Sequence, residues 1–248
     1  MSNGTDLVIC ANCQTPKAGK FCGSCGQKED HRYNLHLLWH DVVHAVTHAD
    51  KGIFSYALQV LYKPGLIAAD LIAGKRKRYF NPFQFLLIML GFYVLVLTST
   101  NFMSKLIAEM GTSGTNLPAQ FEKINMFLSK YQKFIYLLLI PVSALVVKWI
   151  FPKSPLNYSE HLIGYVVYYS NSMLTHTIIM LLTLGVPQTE GMMMTISSVL
   201  TFGFMGVYFR QLYKVSWLAA LLKAALYMII FIAMVAIGSI FVGILIGL

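Results

Sequence analysis

The chain has 248 residues, enough for one or two soluble domains, but 56% of them are hydrophobic and only 12% charged. A soluble domain carries roughly 25% charged residues, so an ordinary soluble fold is excluded and an integral membrane protein is expected. The 19 Lys and Arg against 10 Asp and Glu give a formal charge of +9, and ten of those cations precede Asn81, ahead of the long apolar runs. Cations so placed suit anchoring at a cytoplasmic face. A folded basic domain of useful size is missing, and no nucleic-acid partner is expected.

Residues 1–9 carry neither a basic n-region nor an apolar stretch, so no cleaved signal peptide is expected. All four cysteines follow at once, as Cys10, Cys13, Cys22 and Cys25. Each pair is a Cys-x2-Cys that can grip one tetrahedral metal from a tight turn, and the glycines around the second pair supply the freedom such a turn needs. On the cytoplasmic side, where thiols stay reduced, this spacing favours zinc over two disulfides or redox chemistry. Four thiolates fill the coordination shell and leave no position for water. The zinc is therefore read as structural, folding about twenty residues that are too few to build a core.

His36, His40, His44 and His48 recur at every fourth position. On a helix they form one polar face with Asp41 and Thr47, opposite Leu35, Leu38, Trp39, Val42 and Val46, which predicts an amphipathic helix on the membrane surface. Two sharper readings stay open: a second metal site, or a pH-sensing face whose imidazoles charge near pH 6.5 and change the attraction to anionic headgroups. His40 to His44 has the outline of the zincin HExxH helix. Asp41 is a methylene shorter than the usual Glu, however, and ligands at successive fourth positions spread along about 12 Å of helix. A membrane metalloenzyme is the least favoured reading, and no catalytic residue is assigned.

Residues 53–73 have the length of a span, but Lys63, Pro64, Gly65 and Asp70 interrupt them. Two interfacial helices broken at Pro64-Gly65 are expected instead, because a lipid-exposed break and an unpaired Asp are costly in hydrocarbon. Lys75, Arg76, Lys77 and Arg78, followed by Tyr79 and Phe80, form a basic box where the chain enters the bilayer. It reads as a topology lock with an aromatic anchor, and as a candidate lipid-binding site for anionic headgroups completed by the Pro64-Gly65 elbow.

Five apolar segments follow, at about 83–99, 134–150, 162–184, 192–209 and 218–247, each near the roughly 17 to 25 residues that cross a hydrocarbon core. With the N-terminus cytoplasmic, 15 of the cations fall inside and four outside, and the C-terminus lies in the periplasm. The loop from Asn101 to Lys133 carries apolar helical patterns on either side of a Gly-Thr-Ser-Gly-Thr-Asn centre and is expected to lie on the outer surface. Pro141 is expected to kink the second span. In the third span Ser170, Asn171, Ser172, Thr175, His176 and Thr177 sit near the middle. Asn171, Thr175 and His176 are the candidate intramembrane polar site, with helix packing the alternative use of these side chains. The expected fold class is thus an all-α polytopic membrane protein in three parts: a zinc-ribbon module at 1–30, interfacial amphipathic helices with the basic box at 31–81, and a five-helix transmembrane domain at 82–248.

Several stretches together carry a resemblance. They are the Cys-x2-Cys pair, Phe-Cys-x2-Cys-Gly-Gln through Gln27, His44-Ala45-Val46-Thr47-His48-Ala49-Asp50-Lys51-Gly52, Lys63-Pro64-Gly65, and Gly74 through Arg78 to Tyr79-Phe80-Asn81-Pro82. From about Cys10 to Leu90 the chain resembles an uncharacterised bacterial family, a domain of unknown function found as zinc-ribbon membrane proteins mainly in Bacteroidetes. The resemblance implies an inner-membrane location and no particular activity. A cytosolic module followed by five spans is also similar in plan to the Yip1 membrane-trafficking proteins, an architectural likeness only.

The expected function is a non-enzymatic inner-membrane protein whose zinc ribbon and surface helices recruit or position a protein partner at anionic lipid. A transporter, channel or lipid-handling protein built around the third span is the alternative. Association into a homo-oligomer is left open.

Overall fold

The computed structural model describes residues 8–17, 19–28, 32–35, 52–102, 105, 119–183, 186 and 190–245. Its elements are β1 (Val8–Ile9), β2 (Pro16–Lys17), α1 (Ile53–Tyr62), α2 (Pro64–Ile72), α3 (Pro82–Ser99), α4 (Ala119–Ile150), α5 (Tyr158–Leu182), α6 (Glu190–Tyr213) and α7 (Trp217–Leu245). His36, His40, His44 and His48 lie outside the described residues, as does most of the chain between α3 and α4.

Helices start where the sequence supplies caps. Asn81 Oδ1 accepts from the N–H groups of Phe83 and Gln84, and Pro82 fills the first helical position, where no intrahelical donor is needed. Asn157 and Glu160 form a reciprocal capping box at the start of α5. At the end of α4, Lys223 Nζ from α7 donates to the Ile150 carbonyl at 2.6 Å, satisfying one of the acceptors a helix terminus leaves open.

The helices α3 to α7 cover the five apolar segments, and three of them contain stretches long and apolar enough to cross a bilayer: Pro82–Ser99, Gly191–Tyr213 and Trp217–Ile244. The second apolar segment differs from expectation. It belongs to one helix of 32 residues, α4, that also takes in the pattern around Phe121 and Phe127 assigned above to the outer surface. No Gly or Pro stands between Phe127 and Phe134 to stop the helix, so it propagates. Pro141 sits inside α4 without ending it, and its carbonyl accepts from Tyr158 Oη at 3.0 Å.

The hub of the bundle is α5, which packs against α1, α2, α3, α4 and α6 and is buried over most of its length. This explains how the polar residues in the middle of α5 are accommodated. The hydroxyls of Ser170, Thr175 and Thr177 each donate to the carbonyl four residues back, and neighbouring helices bury them. By contrast, α7 presents Ile229, Ile232, Ile237, Ile240 and Ile244 outward.

The two helices expected on either side of Pro64-Gly65 are α1 and α2, and they pack on the bundle. The break falls at Lys63, with Pro64 opening α2. Tyr56, Val60, Ile67, Ala68 and Leu71 are at most 2% exposed, in a core shared with α5 and α6. The opposite face carries Phe54, Leu58, Tyr62 and Leu66, all apolar and exposed. The pair thus turns one apolar face to the bundle and leaves further apolar side chains exposed beside Ser55. Its arms converge on Tyr79, whose ring meets Tyr56 edge-on at 6.4 Å while its hydroxyl donates to Asp70 at 2.6 Å.

Candidate functional site

Two turns of the same shape bring the cysteines together. In each, the carbonyl of the first cysteine accepts from the N–H four residues on, Gln14 to Cys10 at 2.9 Å and Gly26 to Cys22 at 2.8 Å. The N–H of that cysteine donates to the carbonyl five residues on, Cys10 to Thr15 at 3.0 Å and Cys22 to Gln27 at 2.8 Å. Closing such a turn needs a left-handed residue, supplied by Gly26 at φ 70° and by Gln14 at φ 62°. The sequence offers glycine only in the second turn, so the first carries the backbone strain. Pairing of β1 with β2 and a bridge between Phe21 and Lys28 complete the module.

Cys10 Sγ lies 3.7 Å from Cys25 Sγ and Cys13 Sγ 3.5 Å from Cys22 Sγ, with all four sulfurs within 4.8 Å of one another. None is in a disulfide. Sulfurs arranged tetrahedrally at about 2.3 Å from one ion lie about 3.8 Å apart, so the four cysteines have the donor set and the spacing to hold a metal ion in a closed shell. The Thr15 hydroxyl, 3.4 Å from Cys13 Sγ, and the Thr15 backbone bring the Cys13 thiol down to about 6, while burial and the neighbouring thiols push Cys25 up to about 11.

The module is fixed to the bundle by the residues that leave it. Gln27, 6% exposed, donates through Nε2 to the Gly74 carbonyl at 2.6 Å and accepts at Oε1 from the Lys77 N–H at 3.2 Å. Arg32 makes a two-pronged pair with Glu160, Nε to Oε1 at 2.6 Å and Nη2 to Oε2 at 2.8 Å, and Nη2 also donates to the Pro155 carbonyl. Asn157 Nδ2 donates to the Tyr33 carbonyl at 3.0 Å, and the Arg76 guanidinium lies 3.9 Å over the Tyr33 ring. Burial raises the Glu160 carboxyl, but the hydrogen bonds from Arg32 and from the Asn157 N–H outweigh it and hold the group below the usual range. The same balance holds Asp70 down: burial opposes, while Lys75 and Tyr79 donate to the carboxylate.

The basic box therefore has partners inside the protein. Lys75 Nζ pairs with Asp70 Oδ1 at 2.8 Å, Arg76 stacks on Tyr33, the Lys77 backbone binds Gln27, and the Arg78 guanidinium sits 5.7 Å over the Tyr79 ring. At the elbow, Asn171 Nδ2 donates to the carbonyls of Val60 at 2.6 Å and Leu61 at 3.2 Å. Gln211 Oε1 accepts from the N–H of Gly65 at 2.9 Å and of Leu66 at 3.3 Å, while Gln211 Nε2 donates to the Tyr62 carbonyl. One amide from α5 and one from α6 thus satisfy both helix ends at the break. A Cβ on Gly65 would stand 2.5 Å from Gln211 Cβ and 2.6 Å from the Tyr208 carbonyl oxygen, so only glycine allows this approach. Thr175 donates to the Asn171 carbonyl, and His176 Nδ1 donates to the Ser172 carbonyl at 2.7 Å.

Gln27, Arg32, Tyr33, Glu160 and Gln211 are site residues that the sequence alone does not single out. The Asn157-x2-Glu160 spacing signals a capping box, but nothing local shows that the same carboxylate also receives Arg32.

The elbow, the basic box and the start of α3 coincide with a family. Residues 50–94 match the family described as "Protein of unknown function (DUF3667)". No curated protein and no solved structure matches the chain.

Proposed function

We propose that the chain is a non-enzymatic multi-pass protein of a bacterial inner membrane. One structural zinc folds the cysteine module, and the module recruits or positions a protein partner beside anionic lipid. The observation that carries the reading is the docking of the module: Gln27 on the Gly74–Lys77 turn and Arg32 on Glu160 hold it in fixed orientation against the helix ends. An all-sulfur closed shell suits a metal that folds protein, not one that binds substrate, and zinc is the redox-inert choice for it. Phe21, on the outer side of the module, is 62% exposed and offers an apolar contact for a partner.

In this reading α3 to α7 are five spans, the N-terminus is cytoplasmic and the C-terminus periplasmic, in keeping with the excess of cations before α3 and near residues 148–153 and 210–223. A reporter fused after Leu248 then reads as periplasmic and one in the 148–153 turn as cytoplasmic; the reverse pattern contradicts the arrangement. The transporter or lipid-handling alternative takes second place, because the donors of Asn171, Thr175 and His176 are spent on backbone carbonyls.

The recruiting role is tested by a photo-crosslinker at Phe21 in intact cells, followed by purification of the adducts. A defined adduct that disappears in the Cys22→Ser, Cys25→Ser double variant supports it. Identical adducts from both proteins contradict it.

A further inference from the structure

The elbow between α1 and α2 stands beside the length of the long helices, not past their ends. Asn171, which donates to the Val60 and Leu61 carbonyls, follows the cap Asn157 by about 21 Å of helix at 1.5 Å per residue. Tyr56 meets Phe85 edge-on with ring centroids 4.9 Å apart, and Gly65 lies against Tyr208 and Leu212. Phe85, Tyr208 and Leu212 all belong to stretches long and apolar enough to cross a bilayer. Two features oppose hydrocarbon around such a segment, an open backbone break and an unpaired acid, and both are met inside the protein. Asn171 and Gln211 hold the backbone groups at the break, and Asp70, the one acid of the two helices, receives Lys75 and Tyr79.

The side turned away from the bundle has the matching chemistry. Phe54 is 85% exposed, and Leu58, Tyr62 and Leu66 follow it at every fourth position, all exposed. The polar groups among them are engaged within the elbow: Gln59 Nε2 donates to Ser55 Oγ at 3.1 Å, and the Lys63 ammonium lies 5.2 Å over the Tyr62 ring. Lys63 is the only cation of this segment, and its flexible stem lets the charge reach towards the headgroups. We infer that the elbow is a re-entrant element. It dips into the leaflet on the side of the cysteine module and turns back at Pro64, with Phe54, Leu58, Tyr62 and Leu66 against lipid acyl chains. The inference rests on the reading of α3 to α7 as spans. It also ties the lipid to the module, because α2 leads directly to the Gly74 carbonyl that receives Gln27.

The test uses the full chain in phosphatidylcholine vesicles, with Trp39, Trp149 and Trp217 replaced by Phe and a single tryptophan returned as Phe54→Trp or Tyr62→Trp. Two markers calibrate depth: a protein keeping Trp217 alone, at the start of α7, and Ile232→Trp, about 22 Å further along that helix. Quenching of the emission is read with phosphatidylcholine brominated near the carboxyl end of its chains, with phosphatidylcholine brominated near the terminal methyl, and with aqueous iodide. Both elbow variants should lose most of their emission to brominated lipid and little to iodide. For Tyr62→Trp the ratio of deep to shallow quenching should lie closer to that of Ile232→Trp than to that of Trp217. A ratio matching Trp217 means a helix pair lying on the surface and overturns the inference. Quenching by iodide alone places the face in water, and quenching by neither agent means that protein, such as a second copy of the chain, covers it; each overturns the inference. If Ile232→Trp itself escapes the brominated lipid, the five-span reading falls and the inference with it. Both elbow substitutions exchange one exposed aromatic for another, thermal unfolding of each variant checks that the fold is kept, and either position alone decides.

Discussion

Gln27, two residues past the last cysteine, reaches across the chain to the Gly74 carbonyl at 2.6 Å, joining the second cysteine turn to the turn that precedes the apolar helix α3. The bond has a consequence for the basic box. Lys77 presents its N–H to the same Gln27 side chain, so the backbone of the box is shaped by the module.

The second clamp responds to pH. Glu160, which precedes the apolar part of α5, has its carboxyl held below the usual value of about 4.3, and it therefore favours the docked state at pH values above that figure. This contribution is lost as pH falls through the lowered folded-state value. In Glu160→Gln the carboxylate is gone at every pH. Hydrogen exchange at residues 32–35 should be faster in the variant at pH 7 and should lose the part of its acid dependence that comes from Glu160. Equal protection in variant and wild type at pH 7 would contradict the clamp.

Gly65 sets how closely α2 approaches α6. In Gly65→Ala the new Cβ meets backbone atoms of Tyr208 and Leu212 at 2.6 and 2.9 Å, neither of which can swing aside. The substitution should cost about 1 to 3 kcal/mol in the stability of the purified protein. Gly91→Ala is the matched control: nothing lies within 4 Å of its Cβ position, and a helical Ala is favoured over Gly by roughly 0.5 to 1 kcal/mol. A lowered melting temperature for the first and an unchanged or raised one for the second is expected from thermal unfolding in detergent.

Asn171 is assigned a structural use that a polar residue at mid-span does not announce. Its amide closes the end of α1, so Asn171→Leu leaves the Val60 and Leu61 carbonyls without that donor and should destabilise by about 1 to 3 kcal/mol. Asn171→Asp replaces the donor by an acceptor facing two carbonyls and should be worse. If both variants melted like the wild type, the elbow would not depend on this residue.

What the sequence makes legible follows from how local each signal is. The Cys-x2-Cys pairs act within a few residues, and the cysteine cluster is seen. The break between α1 and α2 is likewise readable from Pro64. Its destination is not, because the partners, Asn171 and Gln211, lie more than a hundred positions away and carry no spacing pattern. Asp70 illustrates the same gap. By sequence it is an unpaired charge unfit for hydrocarbon, whereas Lys75 and Tyr79, both nearby in the chain, satisfy it once the arms of the elbow fold back. Ahead of the second apolar segment the pattern at Phe127 is visible, but not that it fuses with that segment into one helix.

Metal analysis of the purified full-length protein tests the central claim most directly. The account predicts about one zinc per chain for the wild type and almost none for the Cys22→Ser, Cys25→Ser double variant. Hydrogen exchange on the same samples should show the amides at residues 74–79 losing protection with the metal, because Gln27 can brace that turn only from a folded module. A wild type without zinc, or zinc unchanged in the double variant, would contradict a metal centre built from Cys10, Cys13, Cys22 and Cys25.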